Sequence, residues 1–283
     1  MSPTHSPVPE NDARRALRAD CTNCFALCCT ALGFQRSADF PVDKPAGTPC
    51  LNLADDFSCT IHRTLRGRGF RGCTVFDCFG AGQRVSQQLF DGTSWRDAPE
   101  TSAEMFAVFA VVRQLHEMLW YLAEAEARAT TPDSADEATG LARRIDHLLD
   151  GTPTEMLAVD ADGLRAEVRQ TLMTVSEEAR AGYLAGHGDD TAGDLHPGAD
   201  LVGRDLRARV LCGADLRGAL VIAADLRGRD LAGVDLLGAD LRDARLEGAD
   251  LAGALFLTQA QVNAARGDVH TTLPSDIARP GHW

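Results

Sequence analysis

An apolar residue recurs at every fifth position through the carboxy-terminal third of the chain. The series runs for twelve consecutive members without a break. Its members are Leu201, Leu206, Leu211, Leu216, Val221, Leu226, Leu231, Leu236, Leu241, Leu246, Leu251 and Phe256. A period of five fits neither the 3.6-residue repeat of an α-helix nor the two-residue repeat of a strand. Each pentad therefore predicts one short side of a coiled solenoid.

Small and polar residues keep fixed places around these centres. Asp commonly precedes the centre, Gly commonly follows it by two, and Ala stands two residues before it at Ala199, Ala214, Ala219, Ala224, Ala239, Ala244, Ala249 and Ala254. The stretches GADLRGA, ADLRGRDLAG and GADLRDARLEGADLAGA resemble the pentapeptide-repeat family. The resemblance implies that 191–258 is a right-handed quadrilateral β-helix of three coils, with four pentads per coil. Arg204, Arg209 and Arg229 replace the small residue, and an inward guanidinium there would need partners.

Four pentads per coil place every fourth centre on the same face. The face of Leu206, Leu226 and Leu246 is expected to be solvated, because its outward residues alternate in charge: Asp205, Arg207, Asp225, Arg227, Arg245 and Glu247. Two other faces carry outward apolar residues, which usually mark a packed surface. One presents Val202, Leu220 and Ile222, and the other presents Val210, Cys212, Ala232 and Ala252. We expect the preceding helices, a protein partner or a second copy in a homodimer to cover the first, and we expect Cys212 to be an inert outward thiol.

Residues 259–283 follow the last pentad and are expected to close the solenoid. The segment LTQAQVNAARGD predicts a short capping helix, and TTLPSDIARPGHW predicts an irregular tail. A solenoid needs such a cap over its open core and edge.

The middle of the chain, 86–190, predicts an acidic helical region. Apolar residues at helical spacing predict one strong helix from Glu100 to about Thr130, and two more are expected near 137–149 and 164–183. Thr101 or Ser102 would cap the first. His116 and Glu117 on that helix are interpreted as solvated or satisfied side chains rather than catalytic ones.

Eight of the nine cysteines fall in the amino-terminal part: Cys21, Cys24, Cys28, Cys29, Cys50, Cys59, Cys73 and Cys78. A Cys-x2-Cys pair lets two thiolates meet one ion from a tight turn, and distant pairs can complete a four-ligand shell. His62 follows Cys59 at similar spacing and is a further candidate, although a core or supporting role is favoured. We therefore expect 19–85 to be a Cys-rich metal-binding domain, after a disordered tail over 1–18.

The motifs CTNCFALCC, GTPC, CTIH and CTVFDC resemble the putative zinc- or iron-chelating cysteine-cluster family over roughly sixty residues. The chain departs from that pattern in the three residues before its Cys-Cys pair and in the insert LRGRGFRG. Eight thiols exceed one tetrahedral site, which leaves either two ions or one ion with spare reactive thiols. Zinc and an iron-sulfur cluster both accept four thiolates, so the spacing does not choose between them.

Charge and composition narrow the class of protein. Residues 86–190 hold eight basic against twenty acidic residues within a formal net charge of -13, so direct nucleic-acid binding is not expected. No apolar run approaches the ~20 residues that cross a bilayer, and the first twenty residues contain no apolar signal core. We expect a cytoplasmic protein without membrane contact, in which clustered cysteines bind metal rather than form disulfides.

The fold class expected is therefore a mixed multi-domain chain: a Cys-rich metal-binding domain, an α-helical middle and a pentapeptide-repeat solenoid. The favoured hypothesis is a metal-binding, non-enzymatic interaction module or scaffold. One alternative is a redox- or metal-dependent enzyme or sensor that uses the cysteines. A further alternative comes from the repeat family, some members of which resemble DNA in shape and charge and bind DNA gyrase. Three coils with a net charge of only about -3 make a poor duplex mimic.

Overall fold

The computed structural model describes residues 12–184 and 193–283. The described chain divides into two compact units, which we call the cysteine unit (12–123 and 138–169) and the repeat unit (124–137, 170–184 and 193–283). The acidic helical region therefore contributes residues to both units instead of forming a third one. None of the helices in the described ranges is both long and apolar enough to cross a membrane.

Short helices and isolated bridges make up the cysteine-bearing part of the cysteine unit. The α-helices are α1 (Asp12–Ala16), α2 (Leu27–Thr30), α3 (Arg71–Thr74) and α4 (Ala81–Arg84), and α4 continues into a π-helical turn, Val85–Leu89. Single 3₁₀ turns lie at Cys21–Asn23, His62–Thr64, Arg66–Arg68 and Pro99–Thr101. Antiparallel bridges join Phe34 to Lys44 and Leu53 to Cys59. A segment with so little regular structure has few backbone hydrogen-bond ladders. Other interactions must therefore stabilise it.

The start of the chain was expected to be a disordered tail over 1–18. Residues 1–11 lie outside the described residues. From Asp12 onward the chain is folded, because Arg14 is buried, donates from Nε to Trp120 O at 2.9 Å and stacks 4.3 Å from the Trp120 ring. Leu17 is also buried.

Three longer helices follow, close to the expected bounds: α5 (Ser102–Arg128), α6 (Pro132–Leu149) and α8 (Ala161–Leu184). A short helix that was not expected, α7 (Pro153–Leu157), lies between α6 and α8. One face of α5 is buried, as its spacing predicted, at Met105, Phe109, Val112, Leu115, Met118, Leu119 and Leu122. Helix α8 begins where Asp160 Oδ1 accepts a hydrogen bond from Gly163 N at 3.0 Å. The helical middle is thus confirmed.

The repeat unit is a solenoid whose coils are twenty residues long. Seven parallel bridges pair a residue with the one twenty positions later, for example Asp200 with Leu220, Asp205 with Asp225 and Asp230 with Asp250. Twenty residues per coil are four pentads, so the four-sided coil is confirmed. In the described solenoid the coils are joined by isolated bridges instead of continuous strands. All twelve apolar centres are buried, and they fill the interior of the solenoid.

The pentad sequence is explained by its turns. In the first pentad, Arg204 N donates to Leu201 O at 3.1 Å, and Gly203 takes φ +66° between them. Positive φ at that turn position favours Gly. Asp200 Oδ1 accepts from Val202 N at 3.1 Å, which explains why Asp precedes the centre. The same geometry recurs around the solenoid.

The arginines that replace a small residue do not all enter the core. Arg204 and Arg209 both turn to Asp194, with ion pairs of 2.6 and 2.8 Å. Arg229 is half-buried, and its Nε atom is buried without a hydrogen-bond partner. Two of the three guanidiniums therefore find a shared carboxylate near the solvent.

Helix α8 packs on a different face from the one expected. A Cβ on Gly233 would lie 2.2 Å from the Tyr183 ring, and a Cβ on Gly213 would lie 3.2 Å from Tyr183 Cβ. The glycines leave a flat surface that admits the ring, whereas Val202 and Leu220 protrude and remain 49% and 41% exposed. The covered face is the one that contains Cys212. This thiol, expected on the outward side of the solenoid, is only 6% exposed.

The solenoid is closed by the expected capping helix, α9 (Gln259–Ala264). Thr258 and Gln261 form a capping box at its start. Gln261 Nε2 also donates to Leu236 O and Ala239 O, at 2.7 and 2.9 Å, and so satisfies two backbone carbonyls of the solenoid. Trp283 of the irregular tail covers Gly267.

Candidate metal centre

A side chain of the π-helical turn and one of the loop after it form hydrogen bonds with the backbone of Phe25, next to Cys24. Ser86 Oγ accepts a hydrogen bond from Phe25 N at 3.0 Å, and Trp95 Nε1 donates to Phe25 O at 2.8 Å. Ser86 is fully buried. Both backbone groups next to Cys24 are therefore fixed by partners more than sixty residues away. The cysteine motifs do not contain these partners, so sequence reasoning missed them.

Cys24 and Cys78 meet at Gly82 of helix α4. An ideal Cβ on Gly82 would lie 2.6 Å from Cys24 Sγ and 3.9 Å from Cys78 Sγ, so both sulfurs flank a point that only glycine leaves open. Backbone N–H groups also point at the two sulfurs, and such donors favour a thiolate. The donors are Ala26 and Leu27 for Cys24, and Gly80 and Gly82 for Cys78.

His116 holds the loop that carries Cys78. Its Nδ1 lies 2.7 Å from Phe79 O, and burial lowers the pKa of His116 to about 4. The ring is therefore neutral at pH 7 and donates from Nδ1 to the carbonyl. Phe79 itself adopts φ +49°, a strained conformation for a bulky residue. The interpretation of His116 as a satisfied side chain is confirmed, and its role is to position this loop.

A second group of thiols forms around Cys29. Cys50 N donates to Cys29 O at 3.0 Å, and the bridge between Leu53 and Cys59 brings Cys59 back beside the Cys50 turn. Cys73 lies in α3, and the thiols of Cys29, Cys50 and Cys59 are its electrostatic neighbours. Backbone contacts and one short helix thus place these four cysteines within electrostatic reach of one another.

Lys44 is the only lysine in the chain, and it is buried next to the cysteines. Its Nζ donates to Thr30 O, Leu32 O and Pro45 O at 3.2, 2.5 and 3.2 Å. Burial lowers the pKa of Lys44, and the neighbouring thiols Cys50, Cys29, Cys28 and Cys73 oppose that shift. A buried ammonium requires compensating negative charge, which thiolates would supply. Its uniqueness among 28 basic residues was the sequence signal that could have identified it.

Burial disfavours the thiolate form of several of these cysteines. Partial burial raises the pKa of Cys24 to about 11 and that of Cys73 to about 12. Cys28 Sγ and Cys29 Sγ lie 3.8 Å apart, and their hydrogen bond lowers the pKa of Cys29 and raises that of Cys28. A bound metal cation would reverse this balance, because it coordinates the deprotonated sulfur.

The predicted ligands do not already form a coordination shell. Within residues 12–184 and 193–283, no three His, Cys, Asp or Glu side chains stand together as a group that could hold an ion. His62 is exposed and meets the cysteines through its backbone, since His62 N donates to Cys59 O at 3.2 Å. Four thiols, those of Cys50, Cys29, Cys28 and Cys73, are electrostatic neighbours of the buried Lys44 ammonium. Thiolates are ligands that thiophilic metals prefer.

A comparison with protein-family models agrees with the solenoid. A family model described as "Pentapeptide repeats (8 copies)" matches residues 222–256. The crystal structure of a pentapeptide repeat protein (Rfr23) from the cyanobacterium Cyanothece 51142 is 30% identical, with a TM-score of 0.21. The match covers 27% of this chain and 48% of the Rfr23 chain.

A full-length relative extends the comparison to the cysteine unit. "Uncharacterized protein YybG" of Bacillus subtilis (strain 168) is 52% identical over 267 residues, which are 94% of this chain and 95% of that protein. Identity at this level over nearly the whole length requires a common fold for both units. The chain is a pentapeptide-repeat protein and belongs to the family of Bacillus subtilis YybG.

Proposed function

We propose that this chain is a metal-binding interaction protein without enzymatic activity. Its amino-terminal cysteines bind zinc or an iron-sulfur cluster, and its solenoid offers a surface to a protein partner. The metal stabilises a segment that has little regular structure of its own. When bound, the metal supplies positive charge and four strong ligand bonds in a segment that has few backbone hydrogen-bond ladders.

The observation that carries this proposal is the meeting of Cys24 and Cys78 at Gly82. The two cysteines are fifty-four positions apart, and each sulfur receives two backbone N–H groups. Backbone N–H donors stabilise a thiolate more than a neutral thiol. The arrangement therefore suits two thiolates that bind a cation better than two thiols without metal.

Metal analysis of the full chain tests the proposal. Protein purified without oxygen should contain zinc or iron in stoichiometric amount, and Cys24→Ser together with Cys78→Ser should reduce that content. Cys212→Ser is the matched control, because Cys212 lies in the repeat unit and should leave the metal content unchanged. Folded protein with no metal at all would contradict the proposal.

The interaction surface proposed is the strip of Val202, Leu220 and Ile222. Helix α8 covers the Cys212 face, whereas Val202 and Leu220 remain about half exposed. Outward apolar residues on neighbouring coils form a strip that suits an apolar segment of a partner. A second copy of this chain would meet the same requirement, since a two-fold interface pairs one patch with itself.

A photocrosslinking residue tests this surface. Placed at Val202, it should give a specific protein adduct in cells that contain the chain. Placed at Arg207 on the charged face, which is also exposed, it should give none. Mass spectrometry of the adduct distinguishes a second copy from another protein, and equal adducts at both positions would contradict the assignment.

A redox-responsive role is the second candidate, because Cys21 and Cys73 are exposed while their neighbours are not. Exposed thiols in a metal centre are reached first by an oxidant. A brown preparation with visible charge-transfer bands that bleach in air would favour this role. Colourless protein whose zinc no oxidant releases would contradict it.

A further inference from the structure

We propose that the cysteine unit carries a docking groove for a second copy of this chain, and that an arginine-rich loop of that copy occupies it. The groove lies between α6, α7 and the start of α8, and we call it the acidic groove. The loop is 62–72, and we call it the arginine loop. This interface depends neither on bound metal nor on the strip of Val202, Leu220 and Ile222.

Apolar side chains line part of the acidic groove. Leu148 of α6, Val159 and Leu164 of α8 belong to this part of the lining. The volume of the groove is about 360 Å³. Pockets that hold ligands begin at about 300 Å³. The groove is therefore large enough for a specific occupant, and that occupant needs an apolar portion to cover these side chains.

Three carboxylates also line the acidic groove, against a single guanidinium. They belong to Glu155, Asp160 and Glu167, and the guanidinium of Arg144 pairs with Glu167 at 2.8 Å. Glu155 and Asp160 each use one carboxylate oxygen to accept hydrogen bonds at the start of a helix. Among the residues that the structure describes, the second oxygen of each has no hydrogen-bond partner. Both oxygens remain available to a cationic group of the occupant.

The arginine loop carries the opposite charge. Between residues 57 and 76 the chain contains four arginines and no Asp or Glu, although its formal net charge is -13. Leu65 is buried between the two 3₁₀ turns of the loop and anchors it. Arg63 and Arg68 are exposed, and neither forms an ion pair with a carboxylate of the described chain. The loop therefore presents positive charge that its own copy does not neutralise.

An arginine side chain has both of the parts that the acidic groove requires. Its methylene stem covers apolar surface while its charged head stays at the polar edge. Its planar guanidinium also matches a carboxylate through two parallel hydrogen bonds. A compact inorganic cation would satisfy Glu155 and Asp160 but would leave Leu148 and Val159 uncovered. The combined lining therefore favours a basic side chain of a protein over a free ion.

The charge complementarity of loop and groove is not used within one copy. Arg63 and Arg68 form no ion pair with Glu155 or Asp160 in the described chain. A two-fold dimer lets the loop of each copy enter the groove of the other, so that the contact is made twice. Exposed ion pairs contribute little individually and are screened by salt. The dimer should therefore be weak and should dissociate as the salt concentration rises.

Sedimentation velocity of the full chain tests this interface. At low ionic strength the sedimentation coefficient should rise with protein concentration from the monomer value to the dimer value. Salt at 1 M shortens the Debye length to about 3 Å and should raise the dissociation constant of the dimer about tenfold or more. A chain that stays monomeric at every concentration in low salt would overturn the proposal.

Charge reversal in the arginine loop supplies the decisive variant. Arg63→Glu/Arg68→Glu should raise the dissociation constant of the dimer about tenfold or more, because repulsion from the groove carboxylates replaces attraction. Arg143→Glu/Arg169→Glu is the matched control, since both residues are exposed in the same unit, do not line the groove and change the net charge equally. The control should leave the dissociation constant unchanged. Equal effects of the two variants, or none from the first, would overturn the proposal.

A photocrosslinking residue at Gly67 locates the contact without altering any charge. Nothing lies within 4 Å of the Cβ position of Gly67, and both flanking arginines are kept. In a mixture of isotopically light and heavy chains, adducts of mixed mass should join position 67 to the segment 144–167. Gly281, whose Cβ position is equally open, is the control position and should give no such adduct.

Two results of the crosslinking would overturn the proposal. Adducts between position 67 and 202–222 would place the interface of the dimer on the solenoid strip. Adducts in which both segments always carry the same isotope would mean that the arginine loop meets the groove of its own copy. Adducts of mixed mass with 144–167 are expected only if the loop of one copy enters the groove of another.

Discussion

Asp235 is a fully buried carboxylate in a position where other pentads carry a more accessible Asp. Its Oδ1 accepts from Leu237 N at 2.8 Å, and its Oδ2 accepts from Ser176 Oγ of helix α8 at 2.5 Å. Arg217 Nε lies 3.5 Å from the same oxygen. Burial dominates these favourable contacts and raises the pKa of Asp235 to about 6. The packing of α8 therefore carries an electrostatic cost at neutral pH.

Because of this cost, Asp235→Asn should raise the free energy of unfolding by an amount that depends on pH. A folded-state pKa above the unfolded one gives stability that is present in acid and is lost as the pH rises through about 6. Two pKa units correspond to about 3 kcal/mol, so the variant should be more stable at pH 7.5 by about 1 to 3 kcal/mol. The gain should shrink as the pH falls to 5. Urea titration followed by hydrogen exchange of residues 214–236 measures the stability difference at pH 7.5 and at pH 5.

Asp230→Asn is the matched control for this prediction. Asp230 makes the same local contact, since its Oδ1 accepts from Ala232 N at 2.9 Å, but it is exposed. Its substitution should change stability by less than about 0.5 kcal/mol at either pH. An Asp235→Asn protein that is less stable than the wild type at pH 7.5 would show that the contact with Arg217 outweighs burial.

At the scale of elements, the packing of helix α8 on the solenoid depends on glycines spaced one coil apart. Gly213, Gly233 and Gly253 leave room for Tyr183, whose ring lies 2.2 Å from where a Cβ on Gly233 would stand. Gly228 provides a comparison, because its φ of +65° matches the +67° of Gly233 and nothing lies within 4 Å of its Cβ position. The backbone strain of a substitution is thus the same at both sites.

Gly233→Ala should therefore destabilise the repeat unit more than Gly228→Ala does. Each substitution costs about 1 kcal/mol through positive φ, and the clash at Gly233 adds about 1 to 3 kcal/mol. In a Tyr183→Ala background the difference should disappear, because the ring is gone. Urea unfolding of the four proteins measures it, and equal losses for the two glycines in the wild-type background would contradict the packing described.

The pentad turns could be predicted from sequence, whereas the position of α8 could not. Asp200 and Gly203 act on atoms two or three residues away, so a five-residue pattern contains all that determines the turn. The contact of Tyr183 with Gly213 and Gly233 joins distant residues, and apolar patterning favoured the protruding Val202 strip instead. Among the cysteines, spacing predicted a gathering of thiols. It could not predict Lys44, whose role arises from three carbonyl groups.

At the scale of the whole molecule, the two units differ in what stabilises them. Stacked apolar centres, all of them buried, fill the repeat unit. Between residues 19 and 80 the buried apolar side chains are few, namely Ala26, Leu27, Leu65, Phe70 and Phe79. A segment with so small a core depends on other bonds for its stability, and metal ligation supplies them in small domains.

Metal removal should therefore act on one unit and spare the other. After treatment of the full chain with a strong chelator, the proposed metal binding predicts that amides of 20–80 exchange at least tenfold faster, because a bound metal would contribute directly to their folding free energy. Amides of 201–256 should keep their protection, since the leucine interior contains no ligand. Hydrogen exchange followed by mass spectrometry reports both segments in one experiment, and re-addition of zinc or iron should restore the first. Equal acceleration in both segments would mean that the solenoid depends on the metal, and unchanged exchange in both would mean that 20–80 folds without it.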